Sequence, residues 1–322
     1  MAGADQALLQ LDFRNAYNSV ARSKLLESVQ QRCPMFLPFA KAAYGHHGTL
    51  FGSGFVIASE EGEHQGCPCG PLFFAAVVDP LTRLCHSEPG CWSHWYLDDG
   101  HVVGPRTQLA GLVPRLEAAA TELGLSLNRG KSNVWLPPGG QTQGDEFPGV
   151  PVLSAGSVLR VLGSPLGAPA ACQTWVRENI LDGLQLALQR LECLGNPQAA
   201  SQVLRQCLSG VKVNWILRTA DPETAVWTAQ QTSPLLRQTW DVITGCPSSD
   251  AQWELACLPV RLGGVGLQDP WHTVYAAQTA SWLSAVGAQP DLAPSVALAQ
   301  LTPILEALAT SAPSLGVPLL AA

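Results

Sequence analysis

The sequence predicts two regions of different class: a mixed α+β layer over residues 1–167, then an all-helical region over 168–322. Three observations carry that expectation. Strand-like and helix-like apolar patterns alternate along the first half. Two strand-like runs flank an Asp-Gly turn signal within WSHWYLDDGHVVG, residues 92–104, which marks an antiparallel hairpin. From about residue 172 the period is helical almost throughout.

Element by element, LLQLDF (8–13) reads as a short apolar strand ending at Asp12. Asn15 then opens a helical stretch whose inward face is Val20, Leu25 and Val29. PLFFAAVVDPLTRL (71–84) follows a Gly- and Pro-rich turn and reads as a buried helix with Pro80 as a kink. After the hairpin, Leu109, Leu112, Leu116 and Leu123 mark a helix stopped by Gly124. LSLN (125–128) resumes a strand, and VLRVLGSPLG (158–167) forms a strand pair or turn. Strands mixed with helices and a hairpin suggest an α+β layer. In the second half, Val176, Ile180, Leu184, Leu188 and Leu191 share one helical face, ended by Gly195 and Pro197. Leu204, Leu208, Val211 and Trp215 carry the next helix, and Asp221-Pro222 is an N-cap followed by proline at the first helical position. Further helices are expected over 223–244, 271–286 and 294–310, interrupted by the glycine-punctuated LPVRLGGVGL (258–267).

Composition bounds the function. Of 322 residues, 47% are hydrophobic and 13% charged, a globular balance and not a disordered one. No apolar run approaches a bilayer span, and the first residues lack the basic-then-apolar pattern of a secretory signal. The expectation is an intracellular, non-secreted chain with no membrane partner; nucleus and cytoplasm are not distinguished. Ten cysteines spread along such a chain read as reduced thiols. One group, Cys67, Cys69, Cys85, His86, Cys91 and His94, raises a zinc site as an alternative, although only Cys91 and His94 have ligand-pair spacing. The net charge of −7 runs against a broad basic surface for nucleic acid, while leaving room for a local patch.

The adjacent carboxylates Asp98 and Asp99 pose the chemical question. Two carboxylates about 4 Å apart repel by roughly 4 kcal/mol at an effective dielectric near 20. A solvated turn tolerates that, since Asp is a common turn former. A divalent cation reverses its sign.

Read in order, the segments favour the cation. Asp12 closes a strand, Gln65-Gly66-Cys67-Pro68-Cys69-Gly70 precedes a buried helix, Tyr96-Leu97-Asp98-Asp99 tops the hairpin, Lys131 follows LSLNRG, and Leu162-Gly163 lies in VLGSPLG. This order resembles the palm of reverse transcriptases, specifically those of non-LTR retrotransposons. LDFRNAYNSV is similar to their motif A, HQGCPCGPLFF to motif B, YLDD to motif C, LGLSLNRGKS to motif D and VLGSPLG to motif E. LPVRLGGVGL is also similar to a segment downstream of the polymerase in such elements.

The resemblance implies a polymerase palm over 1–167, an antiparallel sheet with helices, followed by an all-α thumb-like domain over 168–322. It implies RNA-directed DNA synthesis by two-metal nucleotidyl transfer with Mg²⁺ or Mn²⁺, an RNA template, a DNA primer and dNTPs. Asp12, Asp98 and Asp99 become the catalytic residues, and Asp12, Phe13, Asp98 and Asp99 the metal ligands. Tyr17, five residues after Asp12, occupies the position of the ring that packs under the sugar and excludes a 2′-hydroxyl. Gln65 and Gly66 fall where the templating pair forms, Lys131 near the triphosphate, and Leu162 and Gly163 in the primer grip. Cys67 and Cys69 stand where the family commonly has Asp and Leu. Eleven residues precede Asp12, where the family has a fingers region. The expectation is therefore a truncated palm-plus-thumb chain. A catalytically inactive retroelement remnant or a zinc-binding interaction module is the alternative, and an RNA-directed RNA polymerase a third.

Overall fold

The computed structural model describes residues 5–137, 140, 145–154, 156–288, 299, 302–304 and 306. The chain divides into two compact units, Met1–Ser157 and Val158–Ala322.

The first unit is built on a five-stranded sheet: β1 (Gln6–Leu11), β4 (Trp92–Tyr96), β5 (Asp99–Pro105), β6 (Asn133–Trp135) and β7 (Val152–Leu153), in the order β4-β5-β1-β6-β7. The pairings are antiparallel except β6 with β7. β2 (Gly48–Gly52) and β3 (Phe55–Ser59) form a separate hairpin. Helices α1 (Ala16–Ser19), α2 (Arg22–Arg32), α3 (Leu37–Tyr44), α4 (Gly70–His86) and α5 (Arg106–Glu122) complete the unit.

Strand alternation fixes which side of the sheet is covered. Ala7, Leu9 and Leu11 of β1 are buried in one core with Phe73, Phe74, Val77 and Leu81 of α4 and Leu109, Leu112 and Leu116 of α5. Their neighbours Leu8 and Gln10 are half-buried and face the other way. That second, open side carries the polar residues. Val20, Leu25 and Val29 are buried as the sequence implied, but their segment breaks into α1 and α2 at Val20. Pro80 lies inside α4, and Gly124, at φ 81°, follows the end of α5.

Two local expectations need correction. LSLN is not a strand: Leu127 makes a single bridge to Phe13, and the strand that pairs with β1 is β6. The buried Leu125 and Leu127 supply a strand-like alternation, but the backbone of 126–128 is spent on bonds to Asp12 and Arg14. The hairpin turn is also earlier than the Asp-Gly signal: Tyr96 pairs with Asp99, leaving Leu97 and Asp98 as its two-residue loop.

The second unit opens with a hairpin, β8 (Leu159–Val161) and β9 (Ser164–Leu166), and is otherwise helical. Its helices are α6 (Pro169–Val176), α7 (Asp182–Glu192), α8 (Pro197–Val203), α9 (Asn214–Thr219), α10 (Pro222–Thr244), α11 (Asp250–Cys257) and α12 (Pro270–Ala288). Leu184, Leu188, Leu204, Leu217, Leu236 and Val274 share its core. Asp221 caps α10 by accepting from Thr224 N at 2.9 Å, the role its Asp-Pro pairing implied. The run expected from Leu204 to Trp215 is broken by a short 3-10 turn at Gly210–Lys212, and Val211 and Trp215 are exposed. Most of the helix expected over 294–310 lies outside the described residues. Among the described residues, no helix is long and apolar enough to cross a membrane.

Candidate active site

The sheet register brings two of the three carboxylates together. Leu11 pairs with Gly100, so Asp12 and Asp99 occupy the next positions outward on adjacent strands. Alternation puts both on the open side, beyond the pair Gln10–His101. Asp98 sits in the loop itself. Leu97 before it has φ 59°, a region that costs a residue with a Cβ about 1 kcal/mol. A non-glycine residue held there by its neighbours is a common feature of functional sites.

Asp12 is fixed through its backbone. Its N–H donates to Ser132 Oγ at 3.1 Å, and its carbonyl accepts from Asn128 N at 2.8 Å. Ser132, fully buried, in turn donates to the Asn128 carbonyl at 3.0 Å. The segment around Lys131 therefore clamps the strand end that carries Asp12. Lys131 itself is exposed in a turn. Phe13 has no polar side-chain atom and can offer only its carbonyl; its ring stacks against Trp95 with centroids 6.3 Å apart.

Tyr17 stacks on Phe74 of α4, centroids 4.4 Å apart and planes 15° off parallel. Burial, then the nearby charges of Glu63 and Asp98, push its hydroxyl up to about 12. Tyr17, Glu63 and Asp98 thus share one electrostatic neighbourhood. Glu63 is buried with both carboxyl oxygens unpartnered among the described residues, and burial pushes its pKa from an ordinary 4.5 up to about 8. Its placement is enforced by backbone docking. Gly62 N donates to Val20 O at 2.8 Å and Glu63 N to Tyr17 O at 2.7 Å, while buried Arg22 donates to Gly62 O at 3.1 Å. A Cβ at Gly62 would meet the Asn18 backbone at 2.4 Å, so only glycine permits this approach.

Gln65 and Gly66 are exposed in the turn before α4, and Gly66 adopts φ 90° with open space around it. Leu162 and Gly163 form the loop of the β8–β9 hairpin, in the second unit. Sequence reasoning missed Ser132 and Glu63, and also a polar row two positions in from the carboxylates. His94 pairs with His101, His101 Nε2 lies 3.4 Å from Gln10 Nε2, and Gln10 Oε1 accepts from Asn133 Nδ2 at 3.5 Å. Burial, then His94, depresses the His101 pKa. The signal available was the polar alternation of β1 and β5.

The donor set suits a hard divalent cation. Asp12 and Asp98 take part in no ion pair among the described residues, and carboxylate oxygens on two neighbouring strands are the ligands such ions prefer. The three Asp residues do not, however, draw all their oxygens within 4.8 Å of one another as one described cluster. Mutual repulsion without a cation opposes closer approach. The Cys/His group fails for a simpler reason. Cys67 and Cys69 precede α4, whereas Cys85 and His86 end it, separated by roughly 24 Å of helix.

A family model described as reverse transcriptase (RNA-dependent DNA polymerase) matches residues 2–165, just over half of the chain. The chain belongs to the reverse transcriptase family. A reverse transcriptase domain is by family an RNA-directed DNA polymerase, a nucleotidyltransferase, and such enzymes generally use divalent metals. The retrotransposable element SLACS 132 kDa protein of Trypanosoma brucei gambiense is 25% identical over 285 residues, 81% of this chain and 22% of that protein. The chain thus spans about a fifth of that relative's length. Among solved structures, apo telomerase from Candida tropicalis is similar at 9% identity and a TM-score of 0.43, covering 90% of this chain and 52% of that one. Telomerase from Candida tropicalis with a TWJ fragment of telomeric RNA gives 11% identity and a TM-score of 0.43, covering 95% and 49%.

Proposed function

We propose that this reverse transcriptase domain extends a DNA primer on an RNA template of a retroelement, with Asp12, Asp98 and Asp99 as the catalytic carboxylates. The observation that carries the reading is the register: Asp12 and Asp99 lie side by side on the open face, with Asp98 in the adjoining loop. Asp12, Asp98 and Asp99, with the Phe13 carbonyl, would hold two Mg²⁺ or Mn²⁺ ions. When bound, these ions activate the primer hydroxyl and neutralise charge on the triphosphate.

The remaining roles belong to the chain's own groups. Ser132 and Asn128 hold Asp12 in position. Tyr17, braced by Phe74, sets the floor under the incoming sugar and excludes a 2′-hydroxyl, which selects dNTPs. Gln65 and Gly66 lie along the templating pair, and Lys131 reaches the leaving pyrophosphate and can give it a proton. Leu162 and Gly163 hold the primer strand. Residues 1–167 act as palm and 168–322 as thumb.

The test is Mg²⁺-dependent dNTP incorporation on a primed RNA template, run on the chain itself and on the chain joined to the fingers segment of a family member. Asp12→Asn or Asp98→Asn is expected to lower incorporation by roughly a hundredfold or more, since each removes a metal ligand. Activity near the parent's in either variant overturns the assignment. Tyr17→Val is expected to admit ribonucleotides; an unchanged dNTP/rNTP preference leaves Tyr17 as core packing alone.

A further inference from the structure

Away from the carboxylates, the second unit gathers three side chains of a different chemistry. Cys257 is the last residue of α11, Asp269 immediately precedes α12, and His272 lies in the first turn of α12. The Cys257 thiol, the Asp269 carboxylate and the His272 imidazole each offer an atom, and these atoms all lie within 4.8 Å of one another. It is the one such cluster of three among the described residues. We propose that Cys257, Asp269 and His272 bind a zinc ion that clips together the two ends of the 258–268 loop.

The donor set favours zinc over the magnesium of the polymerase site. Thiolate, imidazole and a single carboxylate oxygen are ligands of a borderline-soft ion, whereas magnesium wants oxygen alone. Zinc–ligand bonds of about 2.0–2.3 Å set tetrahedral ligands roughly 3.5 Å apart. The cluster is one side-chain adjustment from that spacing, and exposed His272 is free to supply it. Three protein ligands leave a fourth position for water.

The surroundings orient the buried carboxylate. Asp269 Oδ2 accepts from Trp253 Nε1 at 2.8 Å and from Ser233 Oγ at 3.0 Å, and Oδ1 accepts from Trp271 N at 3.0 Å. Oδ1 keeps a lone pair for a metal. Hydrogen bonds of this kind fix the ligands of metal sites. Without a metal, Cys257 is a poor thiolate: burial, then the Asp269 charge, pushes it up to about 12, against a backbone hydrogen bond from Asp269. Zinc binding would displace the thiol proton to solvent, with no oxidant or reductant required.

The ion would act on the loop. LPVRLGGVGLQ runs from Leu258 to Gln268 and exposes Leu258, Val260 and Leu262. Its ends are already tied by Val265 N and Leu267 N donating to Ala256 O, each at 3.2 Å. A metal joining Cys257 to residues 269 and 272 closes the same loop by stronger bonds.

The test uses the full chain, purified under reducing conditions, freed of metal with a mild chelator, then equilibrated with zinc alone. One zinc per chain by elemental analysis is expected, with a rise in Tm on zinc addition. Cys257→Ser and His272→Ala should each weaken zinc binding by roughly tenfold or more and abolish the Tm rise. His272 is exposed, so its replacement leaves the fold intact even if the cysteine variant does not. Cobalt substituted for zinc should show thiolate charge-transfer absorption that disappears in Cys257→Ser. Absence of zinc from the parent overturns the proposal and leaves Asp269 as an anchor for Trp253 and α12. Undiminished zinc in His272→Ala overturns it equally, and points to other cysteines. None of these readouts depends on polymerase activity.

Discussion

Two hairpins in this protein are alike in backbone and unlike in chemistry. In the first, Tyr96 pairs with Asp99 around Leu97 and Asp98; in the second, Val161 pairs with Ser164 around Leu162 and Gly163. Each holds a leucine at positive φ, 59° at Leu97 and 47° at Leu162. The second follows it with Gly163 at φ 85°, the residue that a tight turn with two positive φ values prefers. It is further secured by Trp215 Nε1, which donates to Leu162 O at 3.0 Å. The first spends the corresponding position on a carboxylate, beside a second carboxylate and within the charge range of Glu63 and Tyr17. The contrast teaches that the β4–β5 loop is selected for what it presents, and the β8–β9 loop for how it turns.

Converting one loop to the other breaks the comparison most sharply. Asp98→Gly gives the first loop the sequence of the second. The hairpin should persist, with thermal stability close to the parent's, while Mg²⁺-dependent incorporation falls by roughly a hundredfold or more. Retained incorporation would place the chemistry elsewhere.

The next effect tests the charge around the first loop. Glu63 keeps its proton in the folded state up to about pH 8, against an ordinary value of 4.5. Below 4.5 both states are protonated and burial of the neutral carboxyl exacts no ionisation cost. As pH rises from 4.5 to 8, the unfolded chain releases the proton and the folded one does not, so stability is lost across that window. Glu63→Gln removes the titration. Its stability relative to the parent should therefore grow with pH, reaching on the order of a few kcal/mol near pH 8. Denaturant melts of both proteins at pH 5 and pH 8 measure it; a difference independent of pH refutes the buried, unpartnered carboxyl.

A smaller effect reverses the roles. Gly163→Ala puts a Cβ at positive φ and should destabilise by about 1–2 kcal/mol, whereas Asp98→Ala should cost less than about 0.5 kcal/mol. Equal costs would show that both loops are chosen for turning.

The smallest is a gain. Leu162→Asn supplies the residue that best tolerates left-handed backbone, giving up to about 1 kcal/mol of stability by denaturant melt. Leu97→Asn should gain less, because Leu97 also packs against the core of the first unit.

Much of this was legible in the chain. Periodicity located β1, α4, α5 and α10, because a strand or helix packed on one face must repeat its apolar residues at the period of that face. The order of Asp12, Gln65-Gly66, Asp98-Asp99, Lys131 and Leu162-Gly163 carried the family resemblance, because each residue type answers a local chemical need. Local signals misled where a neighbour outranked them. The Asp-Gly pair placed the turn too late, since the pairing of Tyr96 with Asp99 and of Leu11 with Gly100 draws both residues into β5. LSLN alternates like a strand, yet its backbone is used to clamp Asp12.

Other features exist only once distant segments meet. The adjacency of Asp12 and Asp99 depends on register across 87 positions of chain, which no local pattern encodes. Ser132 gains its role from a bond spanning 120 positions, and Glu63 its burial from the docking of Gly62 on Val20. Cys257, Asp269 and His272 became a cluster because α11 and α12 bring their ends together, while the cysteines and histidines that looked alike in sequence were held apart by the length of α4. Sequence determined which residues could do chemistry, through their types and local periods; packing and strand register decided which of them would stand near enough to act together.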